Sequence, residues 1–212
     1  MWRRIMKPRE VLSVSPIVPV ITIENADDAI PLAKALSEGG VNIMEITLRT
    51  DAGLESIKRI AQEMPDMIVG AGTVVNTTQF DEVYKAGAKF IISPGFTTKL
   101  LEHASKNSIP LIPGVATASE IMTAMEYGLD TFKLFPANIV GGVGALKSFS
   151  GPFKDIRFCP TGGVNLENLN EFLGLENVLC VGGTWFVPKD DISNHNFEKI
   201  TQLCKEALAK IG

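Results

Sequence analysis

Short apolar runs and longer amphipathic stretches alternate along the chain from about residue 17 to its C-terminal end. Short apolar runs bounded by glycine, proline or polar residues are typical of buried strands, and apolar residues repeated every three or four positions indicate helices. This pattern predicts eight strands, at residues 17–21, 42–48, 67–71, 89–93, 110–113, 131–135, 155–159 and 178–181. It predicts a helix after each strand, at residues 29–36, 52–64, 77–86, 97–106, 118–127, 144–149, 166–173 and 197–210. A short N-terminal helix is expected from Ile5 to about Ser13, because Pro16 cannot continue it.

The spacing of the predicted strands favours an α/β fold, a closed (β/α)8 TIM barrel. Successive strands begin 21 to 25 residues apart, and a regular strand–helix period calls for parallel strands. Eight such units leave no room for a linker, so residues 1–212 are expected to form one barrel domain, with residues 1–16 as an N-terminal helix and lead-in. The alternative, an open doubly wound sheet, usually carries a glycine fingerprint after its first strand. Residues 22–25 contain no glycine, which favours the barrel.

Composition and net charge indicate which kinds of binding partner are expected. Hydrophobic residues make up 45% of the chain and charged residues 21%, as in ordinary globular proteins. The net charge of −4 argues against nucleic acid or an anionic membrane as the main partner. The basic residues near Met1 are not followed by an apolar signal segment, no run is long enough to cross a bilayer, and we expect a cytoplasmic protein. The three cysteines show no CxxC spacing and are expected to pack in the core.

One lysine, Lys133, lies within the sixth predicted strand. Side chains alternate across a strand, so Thr131 and Lys133 share one face while Phe132 and Leu134 share the other. If the aromatic face packs on helices, the lysine points into the barrel, where apolar surroundings disfavour the charged form of an amine. A neutral amine can attack a ketone and form a Schiff base. The alternative is a lysine at a strand end whose ammonium group reaches water.

The end of the second predicted strand carries polar residues of one parity, Glu45, Thr47 and Arg49, separated by apolar ones. We expect the apolar set to face the helices and the polar set to face the barrel axis or its mouth. Sites in such barrels lie at the C-terminal ends of the strands. A charge in mid-strand is costly unless it is paired or used. A purely structural ion pair between Glu45 and Lys133 is the alternative to a catalytic role, although an enzyme could contain it too.

Glycine pairs follow the seventh and eighth strands, in the segments Thr161-Gly162-Gly163 and Gly182-Gly183-Thr184. Glycines before helix starts present bare N–H groups, which suit a phosphate dianion. The loops after these two strands are the usual phosphate position in such barrels. The sequence therefore predicts a phosphate site there, whereas glycine or proline after the other strands is more simply explained by turn formation.

The histidines do not indicate a metal site. A zinc-dependent enzyme needs several histidine or carboxylate ligands close together. His103 falls in the fourth predicted helix and His195 near the start of the last, so both lie away from the strand ends and are expected on the surface. We therefore expect neither a metal nor another cofactor, and Lys133 becomes the group that would activate a carbonyl compound.

Segments spread over the chain resemble the class I 2-keto-3-deoxy-6-phosphogluconate (KDPG) aldolases, which commonly also act as 4-hydroxy-2-oxoglutarate (KHG) aldolases. The resemblance covers nearly everything from Ile17 onward, and its motifs in strands two, six and seven are specific. It is carried by residues 18–20, 45–50, 70–74, 92–95, 110–114, 132–137, 157–163 and 182–183.

The resemblance implies roles for individual residues. Lys133 would be the Schiff-base lysine and Glu45 the general acid/base. The pyruvate-derived end of the substrate would be lined by Arg49, Thr73, Pro94 and Phe135. The phosphate would bind at Thr161, Gly162, Gly163, Gly182, Gly183 and Thr184. Two positions depart from the family pattern: Thr184 stands where serine is usual, and Asn138 stands where an acidic residue is frequent.

The activity implied is cleavage of a phosphorylated sugar acid, KDPG, to pyruvate and glyceraldehyde 3-phosphate, without a cofactor and in a homotrimer. Two other functions remain open. A phosphate-binding barrel isomerase or epimerase would use Glu45 to abstract a proton and Lys133 as an electrostatic stabiliser. A non-catalytic phosphosugar-binding protein would bind its ligand without turnover, but it leaves the pairing of Glu45 with Lys133 unexplained.

Overall fold

A computed structural model describes residues 6–211 of the chain. Its sheet contains eight strands, most of them fully buried, as expected for parallel strands covered by helices. They are β1 (Ile17–Ile21), β2 (Ile43–Thr47), β3 (Ile68–Gly72), β4 (Ile91–Ser93), β5 (Leu111–Val115), β6 (Thr131–Leu134), β7 (Arg157–Pro160) and β8 (Val181–Gly183).

The eight strands form a ring. Each strand from β1 to β6 pairs in parallel with the next, and β1 also pairs with β8, Val18 lying beside Gly182. Parallel bridges from Phe158 to Val178 and from Thr161 to Gly182 join β7 to the β8 segment. This arrangement confirms the predicted (β/α)8 barrel and excludes the open doubly wound sheet.

Helices follow the strands and cover the outside of the ring. They are α1 (Pro8–Leu12), α2 (Ala29–Glu38), α3 (Ala52–Glu63), α4 (Thr77–Ala86), α5 (Thr98–Ser105), α6 (Ala118–Met125), α7 (Gly142–Ser150), α8 (Leu169–Leu173), α9 (Lys189–Ser193) and α10 (Phe197–Lys210), with a 3₁₀ turn at Ala26–Asp28. The short N-terminal helix is confirmed, although the predicted start at Ile5 lies outside the described residues. No helix within residues 6–211 has the length and apolarity needed to cross a bilayer.

Polar side chains mark several helix starts, as the sequence suggests. The side chain of Asn76 accepts a hydrogen bond from Gln79 N at 2.9 Å, and Thr97 accepts one from Leu100 N at 3.2 Å. Thr117 and Glu120 form a reciprocal capping box at the start of α6. Such caps satisfy backbone donors that have no partner within the helix, and each contributes about 1 kcal/mol.

Three predictions of local structure were wrong at glycine or proline. The predicted strand at 178–181 is displaced to β8, because Gly182 and Gly183 pair with β1 instead of forming a loop. The predicted strand at 110–113 continues to Val115, because Gly114 pairs with Lys133. Helix α9 was not predicted at all; it has five residues and begins directly after Pro188.

The two faces of β6 are occupied as its alternation predicts. Phe132 packs beside Phe158 of β7 with ring centroids 6.3 Å apart, and Phe158 stacks on Phe149 of α7 at 6.0 Å. The aromatic face of β6 therefore meets a helix, which leaves Lys133 on the inner face. Inside the barrel, a side chain on Gly70 would overlap the Phe90 ring, so this glycine gives Phe90 its space.

The segment after β8 is held by hydrogen bonds to one carboxylate group. Asp191 in α9 accepts hydrogen bonds from Lys199 Nζ at 2.9 and 3.1 Å and from Asn196 Nδ2 at 3.0 Å. The bond from Lys199, and then that from Asn196, holds the pKa of Asp191 below its ordinary value. Because the folded protein favours the ionised carboxyl, this group stabilises the fold above the unfolded-state pKa of about 3.9, and that contribution is lost as the pH falls through the folded-state pKa.

Replacing Lys199 by methionine should therefore reduce the free energy of unfolding at pH 7 and reduce it less at acidic pH. Urea unfolding of the variant and the original protein between pH 7 and pH 3 would measure the difference. Lys205→Met, at an exposed lysine of the same helix, is the control and should show no such convergence. A difference that stays constant over the whole pH range would contradict the assigned role of Asp191.

Candidate active site

Lys133 and Glu45 meet inside the barrel although β6 and β2 lie on opposite sides of the ring. Lys133 Nζ lies 3.2 Å from Glu45 Oε1, and the two side chains are 6% and 2% exposed. The alternative in which the lysine reaches bulk water is therefore wrong, and the predicted internal pair is confirmed. Each group is expensive to bury alone, so the interior keeps them together.

One glycine on an intervening strand makes room for this pair, and a second lets neighbouring backbone approach the lysine strand. A side chain at Gly72, the last residue of β3, would overlap the carboxylate of Glu45. Gly114 of β5 lies beside Lys133 in the strand register, and a side chain there would collide with the carbonyl group of Pro94. The Glu45 carboxylate therefore occupies the space that Gly72 leaves, and Gly114 lets the backbone of Pro94 approach β5 beside Lys133.

An aromatic ring borders the amine. Lys133 Nζ lies 5.2 Å from the centroid of the Phe135 ring, within the range of a cation–π contact. Phe135 directly follows β6 and precedes Pro136 through a cis peptide bond. The amine is thus enclosed by one carboxylate and one aromatic face.

A cavity of about 180 Å³ opens above Lys133 and gathers most of the predicted site residues. Arg49 reaches it from the loop after β2. Its lining includes Lys133, Phe135, Thr161, Gly162, Gly163, Gly182, Gly183 and Thr184, and also Val20 and Val164, which were not predicted. The lysine and the two glycine pairs after β7 and in β8 therefore border one space at the C-terminal ends of the strands.

Thr73 and Pro94 do not line this cavity. Thr73 follows β3 and is half-buried, with a left-handed backbone at φ 62°, a region that β-branched residues rarely adopt. Pro94 follows β4 and is exposed. Both stand at the C-terminal end of the barrel, where they were expected.

The two glycine pairs, one in the loop after β7 and one at the end of β8, leave no free space for side chains. Gly162 and Gly163 have φ values of +100° and +80°, in the left-handed region that favours glycine. A side chain at Gly182 would overlap the hydroxyl of Thr161, and one at Gly183 would overlap the Trp185 ring. The backbone therefore lies bare at the cavity wall, the arrangement that suits a phosphate group. Trp185, under Gly183, carried no signal in the sequence alone.

Two thiols lie next to the lysine inside the barrel. Cys159 of β7 is the register partner of Lys133, and both Cys159 and Cys180 are buried and free. A hydrogen bond with Cys180 holds the pKa of Cys159 below its ordinary value against the opposing effect of burial, while burial raises the pKa of Cys180. Burial also raises the pKa of Cys204 to about 12. Core packing, as predicted, describes all three.

The histidines lie away from the cavity. His195 is 65% exposed and pairs with Asp28 at 2.9 Å, as a surface residue can. His103 is only 29% exposed, so its prediction as a surface residue was partly wrong: its Nε2 lies 2.7 Å from Asp81 Oδ1 and its ring meets Phe80. Among residues 6–211, no group of three or more histidine, cysteine or acidic side chains is arranged to hold a metal ion.

Comparisons with known proteins agree with this geometry. Residues 9–203 match the family model described as KDPG and KHG aldolase. The chain belongs to the KDPG and KHG aldolase family. Family relatives include the 2-dehydro-3-deoxy-phosphogluconate aldolase of Dickeya dadantii (strain 3937), 54% identical over 94% of each chain. Another is the KHG/KDPG aldolase of Escherichia coli (strain K12), 50% identical over 93% of each chain.

A solved member of the family shares the fold closely. The KDPG aldolase of Legionella pneumophila superimposes with a TM-score of 0.93 at 48% identity, covering 95% of this chain and 98% of its own. Its crystal structure holds pyruvate captured at low pH as a covalent carbinolamine intermediate. The predicted fold and the predicted family are both confirmed.

Replacing Gly72 by alanine should separate Glu45 from Lys133. The new methyl group occupies the place of the Glu45 carboxylate, so we expect a Nζ–Oε1 distance clearly longer than 3.2 Å and a loss of about 1–3 kcal/mol in the free energy of unfolding. A crystal structure and urea unfolding would measure both. Gly95→Ala is the matched control, because its new Cβ meets nothing within 4 Å. An unchanged Lys133–Glu45 contact in Gly72→Ala would contradict the packing argument.

Proposed function

We propose that this protein is a class I aldolase that cleaves KDPG to pyruvate and glyceraldehyde 3-phosphate. The buried contact between Lys133 Nζ and Glu45 Oε1 carries the proposal, because it sets a carboxylate base 3.2 Å from an amine nucleophile that lines the cavity. The names of the relatives from Dickeya dadantii and Escherichia coli support it, and the second also names KHG. We extend the proposal to 4-hydroxy-2-oxoglutarate, cleaved to pyruvate and glyoxylate.

Lys133 is the proposed nucleophile. Glu45 takes a proton from the Lys133 ammonium group, the free amine attacks the C2 ketone of the substrate, and the amine proton passes to the ketone oxygen to give a carbinolamine. Glu45 returns its proton to the new hydroxyl group, and loss of water gives a protonated imine, which serves as the electron sink for cleavage of the C3–C4 bond. The covalent carbinolamine of the Legionella pneumophila enzyme supports this first step. The chemistry needs only side chains of the chain itself, so we propose no metal or other cofactor.

Glu45 is the proposed general base and acid. It removes the proton of the C4 hydroxyl group, the C3–C4 bond breaks, and its electrons flow through C3 into the imine to form an enamine. The aldehyde leaves. The enamine takes up a proton at C3, and water hydrolyses the imine to release pyruvate and the free amine. At 3.2 Å from Nζ, the carboxylate also lies close enough to exchange protons with the carbinolamine.

The remaining site residues are proposed to bind the two ends of the substrate. Arg49 holds the carboxylate with the fork of its guanidinium group, a geometry lysine cannot supply. Phe135 packs on the imine, and Thr73 and Pro94 border the pyruvate end from the loops after β3 and β4. The phosphate binds at Thr161, Gly162, Gly163, Gly182, Gly183 and Thr184.

The same ion pair is also compatible with a second candidate, a phosphate-binding isomerase or epimerase. There Glu45 would abstract a proton next to a carbonyl, and Lys133 would stabilise the resulting charge without forming a bond to the substrate. The two functions differ in one observable step, because only the aldolase links Lys133 covalently to pyruvate.

Incubation with pyruvate and borohydride should reduce the imine and add the pyruvate skeleton irreversibly to Lys133. Mass spectrometry of the digested protein locates the adduct. Its complete absence would favour the isomerase, and an adduct on another lysine would refute the assignment of Lys133.

Two variants separate the steps. Lys133→Arg keeps a positive charge but has no nucleophilic amine, so it should form no adduct and lose cleavage entirely. Glu45→Gln keeps the amine but removes the base, so adduct formation should persist while kcat for KDPG falls about 10²- to 10⁴-fold. Cleavage at the original rate in Glu45→Gln would contradict the role of the carboxylate.

We also propose that the protein assembles as a homotrimer. Support comes from large apolar side chains that contact water: Met122 and Met125 of α6 are 60% and 44% exposed, and Ile139 is 84% exposed. The two methionines lie three residues apart, so they share one face of the helix. Contiguous exposed apolar surface is typical of protein interfaces.

Sedimentation equilibrium should give about three times the chain mass of 22.9 kDa. The double variant Met122→Glu, Met125→Glu should sediment as smaller species, because charges would have to be buried in the interface. A wild-type mass of a single chain at micromolar concentration would contradict the trimer.

A further inference from the structure

Residue 138 holds the glycine loop after β7 from outside the cavity. Asn138 N donates a hydrogen bond to Gly162 O at 3.0 Å, and its side-chain Nδ2 donates one to Gly163 O at 2.7 Å. Asn168 Nδ2 donates a second bond to Gly163 O at 3.0 Å. Asn138 therefore donates hydrogen bonds to the carbonyl groups of both glycines, and Asn168 donates another to that of Gly163.

These bonds fix the direction of the opposite sides of the peptides. In a planar trans peptide the N–H group points away from the preceding carbonyl oxygen. With the carbonyl groups of Gly162 and Gly163 held toward Asn138, the N–H groups of Gly163 and Val164 point to the other side. Gly162, Gly163 and Val164 all line the cavity. Asn138 thus orients the N–H groups of Gly163 and Val164 toward the cavity, where an anion would bind.

The contact is close and depends on its glycine. A side chain at Gly163 would overlap the amide group of Asn138, and the left-handed backbone of Gly163 disfavours any other residue. Asn138 itself is exposed, so its replacement leaves the buried core untouched. The interaction belongs to the loop, not to the stability of the barrel.

The contact with Gly163 O requires a hydrogen-bond donor. The asparagine amide supplies N–H groups to a carbonyl oxygen, whereas an ionised carboxylate can only accept. In this chain, aspartate would have the same shape as Asn138, but its oxygen would face Gly163 O at hydrogen-bond distance without a proton between them. Its negative charge would also stand behind the loop that receives the phosphate, where it would repel a dianion.

We propose that Asn138 is a positioning residue for the phosphate loop and that it sets the preference of the site for phosphorylated over non-phosphorylated substrates. The proposal rests on the function proposed above. Asn138 acts through the loop peptides and not on the reacting atoms, so its loss should weaken phosphate binding and leave the chemistry at Lys133 in place.

Asn138→Asp should lower kcat/KM for KDPG about tenfold. The substitution removes the hydrogen bond to Gly163 O and places a negative charge beside the loop. The effect should appear mainly as a higher KM. Cleavage of 4-hydroxy-2-oxoglutarate, which has no phosphate group, should change less than about twofold, since the loop supplies little of its binding energy. Asn138→Ala removes the donor without adding charge and should fall between the original protein and Asn138→Asp.

Asn170→Asp is the matched control. Its amide also donates to a carbonyl group, Lys210 O at 2.9 Å, and the substitution adds the same charge away from the loop. It should leave the ratio of the two activities unchanged. An equal fall in both activities of Asn138→Asp, or no fall in either, would overturn the proposal.

Inorganic phosphate gives a readout that does not depend on turnover. Calorimetric titration should show weaker phosphate binding to Asn138→Asp than to the original protein or to Asn170→Asp. If the original protein cleaves neither substrate but this difference is found, the proposed function fails and the role of Asn138 stands. If the original protein cleaves both substrates and phosphate binds all three proteins equally, the role of Asn138 fails alone.

Discussion

A single buried ion pair dictates how the interior of this barrel is filled. Lys133 and Glu45 come from opposite sides of the ring and meet at 3.2 Å, almost without contact with water. Neither group could be buried without the other, because an isolated charge in a protein interior costs several kcal/mol. The Glu45 carboxylate needs space beside β3, and Gly72 leaves it. Gly72 is therefore part of the site, although it carries no functional group.

The fold could be predicted because its strongest signal is regular. Strand–helix units of similar length required parallel strands, and a first loop without glycine argued against the open sheet. What failed were element ends at glycine and proline. Gly182, Gly183 and Gly114 have weak strand preference, yet each is in a strand because a neighbouring strand supplies its hydrogen bonds. Tertiary pairing overrides local propensity there, and no window of sequence contains the partner.

The site, like the fold, has features that the sequence could predict and features that it could not. Lys133 and Glu45 could be found from the parity of short strands, because alternation decides which side chains face inward. Their contact distance could not be found, since it joins strands that are not neighbours. Thr73 illustrates the limit at the loops: its left-handed backbone directs the chain after β3, and nothing in the local pattern predicts that conformation. Asn138 gave no chemical signal of its own, because its partners are carbonyl groups of a loop some 25 residues away.

Burial explains why substitutions at the Lys133–Glu45 pair and at the glycine loop after β7 should have different effects. The amine, the carboxylate and the glycines beside them are enclosed, so any substitution there alters packing together with chemistry. The phosphate loop lies at the rim, where its shape depends on exposed amide groups whose replacement leaves the core intact. A barrel with this layout can keep one bond-breaking centre while loop-supporting residues adjust which substrates are held. In the function proposed here, selectivity for the phosphate can therefore vary without disturbing the ion pair between Lys133 and Glu45.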